Sequence, residues 1–126
     1  MEEALIAIAS MMDRTEKAKE KFKQGTSQHT LQRNRLKALQ ICSALISNEL
    51  ANSETVINFT EEELKNAIAP ITSLMSKSEK ALGKLARGTW QHTMLSNNQK
   101  ALNIALPLLT KAINGANIKY SSNEIL

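Results

Sequence analysis

Shifting the chain by 63 residues lays residues 4–50 over residues 67–113 without a gap, and 19 of the 47 positions are identical. The densest agreement pairs Gly25-Thr26-Ser27-Gln28-His29-Thr30 with Gly88-Thr89-Trp90-Gln91-His92-Thr93. It continues through Asn34/Asn97, Lys37/Lys100, Ala38/Ala101, Leu39/Leu102, Ile41/Ile104 and Leu45/Leu108. A unit used twice has to bury its apolar face against its own copy, so this self-similarity points to an internal duplication and narrows the choice of fold before any single residue is considered.

Each half reads as helix, turn, helix. Leu5, Ile8, Met12 and Phe22 recur at helical spacing before Gly25, and Leu31, Ala38, Ile41, Leu45 and Ile46 do so after it. In the second half Leu64, Ile68, Ile71, Met75, Leu82 and Leu85 precede Gly88, and Met94, Ala101, Ile104, Leu108 and Ile113 follow it. Glycine supplies the left-handed conformation that ends one helix, and the threonine after it accepts the N–H bonds that begin the next. Two residues are thus expected to reverse the chain.

The reading is an all-α, up-down-up-down four-helix bundle made of two tandem helical hairpins, forming one domain over residues 1–126. Hairpin one spans residues 2–50, the linker 51–60, hairpin two 61–114 and a tail 115–126. In the linker, Phe59-Thr60-Glu61-Glu62-Glu63-Leu64 carries a capping box, Thr60 with Glu63, and a staple between Phe59 and Leu64. Pro70 and Pro107 fall inside helices and predict bends; Gly115 is expected to stop the last helix. Helices of about 24 residues would be roughly 36 Å long.

At 126 residues and 42% apolar content, the chain can bury a core without staples. Cys42, the single cysteine, excludes an intrachain disulfide and reads as a small buried hydrophobe. The N-terminal sequence Met-Glu-Glu has no basic segment leading an apolar run, and no apolar stretch is long enough to span a bilayer. A cytoplasmic, bacterial-type bundle is the expectation, with no membrane partner. Aromatic residues make up 3% of the chain, which disfavours strand-rich folds and removes most of the stacking surface used to bind single-stranded nucleic acid.

Net charge is +4, but its distribution is uneven. Residues 14–37 hold eight basic side chains against two acidic, and residues 77–100 hold five against one, leaving a surplus of six negative charges elsewhere. Both Gly-Thr turns share one end of such a bundle, which predicts a basic end there and an acidic end opposite. The anion-facing residues are then Lys23, Thr26, His29, Arg33, Arg35, Lys84, Arg87, Thr89 and His92, with two helix N-termini adding N–H donors. The simpler, structural reading is that the lysines in the last turns of the first and third helices offset the helix dipoles.

His29 and His92 stand three residues after matched caps, where two imidazoles could hold a metal or move protons. No carboxylate is repeated close by, so a structural role is expected, the imidazole reaching back to the turn backbone or packing across the hairpin. Asn34 and Asn97 fall on or beside the apolar stripes, where a buried amide in each half could line a small pocket but more often fixes register. Met11, Met12, Met75 and Met94 read as core filler. Arg87, four residues, then His92 resembles the Arg-x4-His arrangement of the helical HEPN ribonucleases. The likeness covers six residues, with Gly88 in place of the usual polar residue, a turn inside the motif, and Gln24 where the first half would need arginine. It names no family.

No catalytic, metal or cofactor signature emerges. The functional expectation is a non-enzymatic protein-interaction module whose partner is another protein or a second copy. The homodimer would bury the faces carrying Leu39, Cys42 and Ile46. The alternative is a phosphate-directed binder of nucleic acid or a phosphorylated ligand through the basic end.

Overall fold

The computed structural model describes residues 1–51 and 59–125, with side chains to residue 115. Four helices make up these residues: α1 (Glu2–Glu20), α2 (Ser27–Leu50), α3 (Glu61–Leu82) and α4 (Trp90–Ile125). Each packs against its neighbours in a closed ring: α1 against α2, α2 against α3, α3 against α4 and α4 against α1. Across the ring α2 touches α4, whereas α1 and α3 make no such contact among the described residues. The bundle therefore has a spine of α2 and α4, with α1 and α3 laid into the two furrows beside it.

The core follows from the spacing of apolar residues. Ile8 on α1, Leu39, Cys42 and Ile46 on α2, Ile71 on α3, and Leu102, Ala105 and Leu109 on α4 are all wholly buried. Leu39, Cys42 and Ile46 thus spend their apolar surface inside their own bundle and offer no face to a second copy. Burial also pushes the Cys42 thiol up to about 12, so it is a packing element and not a nucleophile. Pro70 and Pro107 lie inside α3 and α4, and both helices run on through them; neither proline is fully buried.

The linker capping box is present. Thr60 Oγ1 accepts from the Glu63 N–H and Glu63 Oε1 accepts from the Thr60 N–H, each at 3.1 Å. Glu63 Oε2 also lies 2.9 Å from Lys37 Nζ, tying the start of α3 to α2. The Lys37 ammonium and the Thr60 N–H hold the Glu63 carboxyl below the usual range. Phe59 packs against the core beside this cap.

Three expectations change. The chain does not reverse in two residues: α1 ends at Glu20 and α3 at Leu82, so connections of several residues precede each new helix. Phe22 and Leu85 lie on those connections, and Phe22 is exposed. A run of lysines at 17, 19, 21 and 23 gives the last turn no continuous apolar face to bury, and the helix unwinds into tighter turns, with Lys21 N–H on Ala18 O and Phe22 N–H on Lys19 O. Gly115 does not stop α4, which continues to Ile125. It has no positive φ, and glycine inside a helix costs only about 1 kcal/mol relative to alanine. Helix lengths are accordingly 19, 24, 22 and 36 residues, not a uniform 24.

Candidate functional site

The two turns are built alike. Gly25 and Gly88 take φ of 89° and 88°, a left-handed conformation that side chains with a Cβ avoid. Thr26 Oγ1 accepts from the His29 N–H and Thr89 Oγ1 from the His92 N–H, both at 3.2 Å. Each threonine hydroxyl donates back to the connection, to Lys23 O at 2.7 Å and to Ala86 O at 2.9 Å. The histidines are thus held by their backbone. Their half-buried imidazoles make no hydrogen bond to the turn among the described residues, so of the two expected structural roles the back-bond is not made.

Both turns occupy one end of the bundle, and the sequence-predicted cations there separate into two groups. Lys23, Arg33, Lys84 and Arg87 are exposed and form no ion pair among the described residues. Arg35 is half-buried and lines a cavity of about 380 Å³ between the last turns of α1 and α3 and the first turns of α2 and α4. Arg33 and Arg35 therefore belong to different environments, as a separation of two residues on a helix requires. Arg87 stands on a connection and His92 on α4, with Gly88 turning the chain between them, so the pair does not share a helical face.

The cavity lies between the two halves. Each of its twelve lining residues has its 63-shifted counterpart in the same lining, among them Arg14 with Lys77, Thr15 with Ser78, and Arg35 with Asn98. Thr15, Ser78 and Asn98 are the buried polar residues of the described chain. Asn34 and Asn97, expected to be buried, are both exposed, though each lines a groove on the bundle surface; the buried amide is Asn98, one residue on. Arg35 Nε and Nη2 are buried with no hydrogen-bond partner among the described residues, and burial lowers the guanidinium's pKa from its ordinary value. Among the described residues no carboxylate lines the cavity.

Two grooves flank the spine. One, about 700 Å³, lies between α1 and α4; the other, about 560 Å³, lies between α2 and α3. Ten of the eleven residues lining the second have their 63-shifted counterparts lining the first. The grooves differ in what stands around them. Ile6 and Trp90, each 71% exposed, line the α1/α4 groove, where the α2/α3 half has Ala69 and Ser27 at the matching positions. Lys37 in the second groove is paired with Glu63, whereas Lys100 in the first forms no ion pair among the described residues.

No protein-family model matches this chain, no curated protein matches it in sequence, and no solved structure matches it. The site is therefore read from its own chemistry. Sequence reasoning reached the turns and Arg35, but missed the cavity's remaining members and both grooves. Thr15, Ser78 and Asn98 carry a signal that could have found them: Thr15, Ser78, Arg35 and Asn98 continue the helical phase of Ile8–Met11, Ile71–Leu74, Leu39–Cys42 and Leu102–Ala105. Among the described residues no helix is long and apolar enough to cross a membrane.

Proposed function

We propose that the protein is a non-enzymatic interaction module that receives an apolar segment of a protein partner in the groove between α1 and α4. The supporting observation is the asymmetry of the two grooves. Ile6 and Trp90 leave most of their apolar surface in water, and the matched groove does without such residues, with Ala69 in its lining and Ser27, the counterpart of Trp90, outside it. Packing of the bundle therefore does not require them, and a large exposed indole beside a concave surface is the usual form of a binding anchor. Lys100 at the same groove, without an ion pair among the described residues, suits a partner that sets a carboxylate beside its apolar side chains.

The test compares wild-type protein with the variant Ile6→Ala/Trp90→Ser in affinity capture at moderate salt, with light scattering on each sample. A partner retained by wild type and lost by the variant supports the reading, and a dimer mass lost in the variant identifies the partner as a second copy. Equal retention by both proteins overturns it. Salt-sensitive retention of RNA or DNA oligomers, unchanged in the variant, would instead favour the phosphate-directed reading of the basic end.

A further inference from the structure

We propose that the Lys100 end of the α1/α4 groove seats residues 120–124 from the tail of a second copy of this chain, with Tyr120 over Met1 and the Glu124 carboxylate beside the Lys100 ammonium. The inference rests on the reading of that groove as a docking surface and names its occupant. The matched α2/α3 groove shows what such a place takes. Its lining repeats in the α1/α4 groove at every position but one, and the exception is Glu63, which pairs with Lys37 at 2.9 Å. Lys100, the counterpart of Lys37, is exposed and forms no ion pair among the described residues, not even with Glu3 of the same lining.

The apolar side of the place is open as well. Leu64 is 4% exposed and belongs to the core against which Phe59 packs. Met1, the counterpart of Leu64, is 44% exposed and lines the α1/α4 groove. One short segment, Phe59 to Glu63, thus brings to the α2/α3 side an aromatic ring on the core and, four residues on, a carboxylate for the lysine. The α1/α4 groove has no counterpart of that segment among the described residues.

The chain contains the same chemistry a second time. Of its four aromatic residues, only Phe59 and Tyr120 are followed at once by a hydroxyl residue and three positions later by glutamate: Phe59-Thr60-Glu61-Glu62-Glu63 and Tyr120-Ser121-Ser122-Asn123-Glu124. That order serves the start of a helix, as Thr60 and Glu63 do for α3. No helix starts at Ser121, because α4 runs unbroken to Ile125, so its own copy does not spend the motif on a cap. The tail cannot turn to its own groove either: Glu124 lies 24 residues beyond Lys100 on the same helix, about 36 Å along the axis. It is free to meet the Lys100 of a second copy. Reciprocal exchange of tails closes a dimer, and one-way seating builds longer chains. Lys100 stands ten residues from Trp90 on α4, about 15 Å, so this contact and the Ile6/Trp90 anchor respond to different variants.

Light scattering of the full chain over a range of protein concentrations reads the contact. Wild type is expected to exceed the mass of one chain as concentration rises. Glu124→Lys and Lys100→Glu should each raise the dissociation constant roughly tenfold or more, since each sets like charges together. The double variant Glu124→Lys/Lys100→Glu reverses the pair and should return to the wild-type mass, and Tyr120→Ser should weaken association roughly tenfold through lost apolar burial. A wild type that keeps the mass of one chain at every concentration overturns the proposal. So does an assembly indifferent to both single charge variants, or one that the double variant does not restore. An assembly lost in Ile6→Ala/Trp90→Ser yet indifferent to Glu124→Lys and Lys100→Glu overturns the tail as occupant and leaves the groove as a docking surface.

Discussion

Replacing Arg35 with methionine in a phosphate-free buffer tests what the unpaired guanidinium costs the fold. The substitution keeps the length and apolar stem of the side chain and removes two buried N–H groups that have no partner among the described residues. A buried donor left unsatisfied costs about 1–3 kcal/mol. Arg35 is only partly buried as a residue, so the lower figure applies, and the gain is about 1–2 kcal/mol in stability. Apolar replacement of buried charge in other proteins is commonly neutral or stabilising by about 1–4 kcal/mol, which brackets this value. With an unfolding entropy near 2.1 cal/mol/K per residue, 126 residues translate each kcal/mol into about 4 °C. The expected midpoint is therefore about 4–8 °C above wild type by circular dichroism in Tris chloride. A midpoint below wild type in that buffer would mean that the guanidinium contributes net favourable interactions, and the cost assigned to its bare N–H groups would be wrong.

Gly25→Ala and Gly88→Ala should each cost about 1–2 kcal/mol from the left-handed φ alone, because a methyl group placed on either glycine would meet nothing within 4 Å; chemical denaturation should return nearly equal losses for the two. Glu63 has a depressed folded-state pKa, so its contribution is present above the unfolded value and lost as pH falls through the lower folded one. The stability difference between wild type and Glu63→Gln should accordingly be constant near neutrality and shrink below about pH 4.3, as read by unfolding at a series of pH values. The Cys42 thiol, wholly buried and pushed up to about 12, should react with a disulfide reagent only as fast as the protein opens, so the labelling rate should fall with added stabilising ligand.

The bundle was legible because its determinants are local or periodic. Apolar residues at helical spacing, two glycines followed by threonine, and Thr60 with Glu63 each act within a few residues, and each appears in the structure as its chemistry requires. Helix ends were less legible. Phe22 and Leu85 look in phase with the stripe, but whether a helix continues to them depends on whether a neighbour covers that face, which is a tertiary matter. The site was least legible for a related reason. Asn34 and Asn97 drew notice by being identical in both halves, yet identity at a repeat says nothing about phase. Both face outward, while Arg35 and Asn98, unlike each other, sit on the core-facing line and meet between the hairpins. The groove asymmetry needed the fold as well, because Ile6 and Trp90 are 84 positions apart in the chain and become neighbours only when α1 lies along α4.

Trp90 is the molecule's single indole, and in the folded protein it is already largely in water. Its emission should change little when the bundle melts, so a fluorescence melt would be nearly blind to folding. An object seated against α1 and α4 would instead strip solvent from the ring and shift the band to the blue. The chain thus carries an optical gauge of whether its groove is occupied.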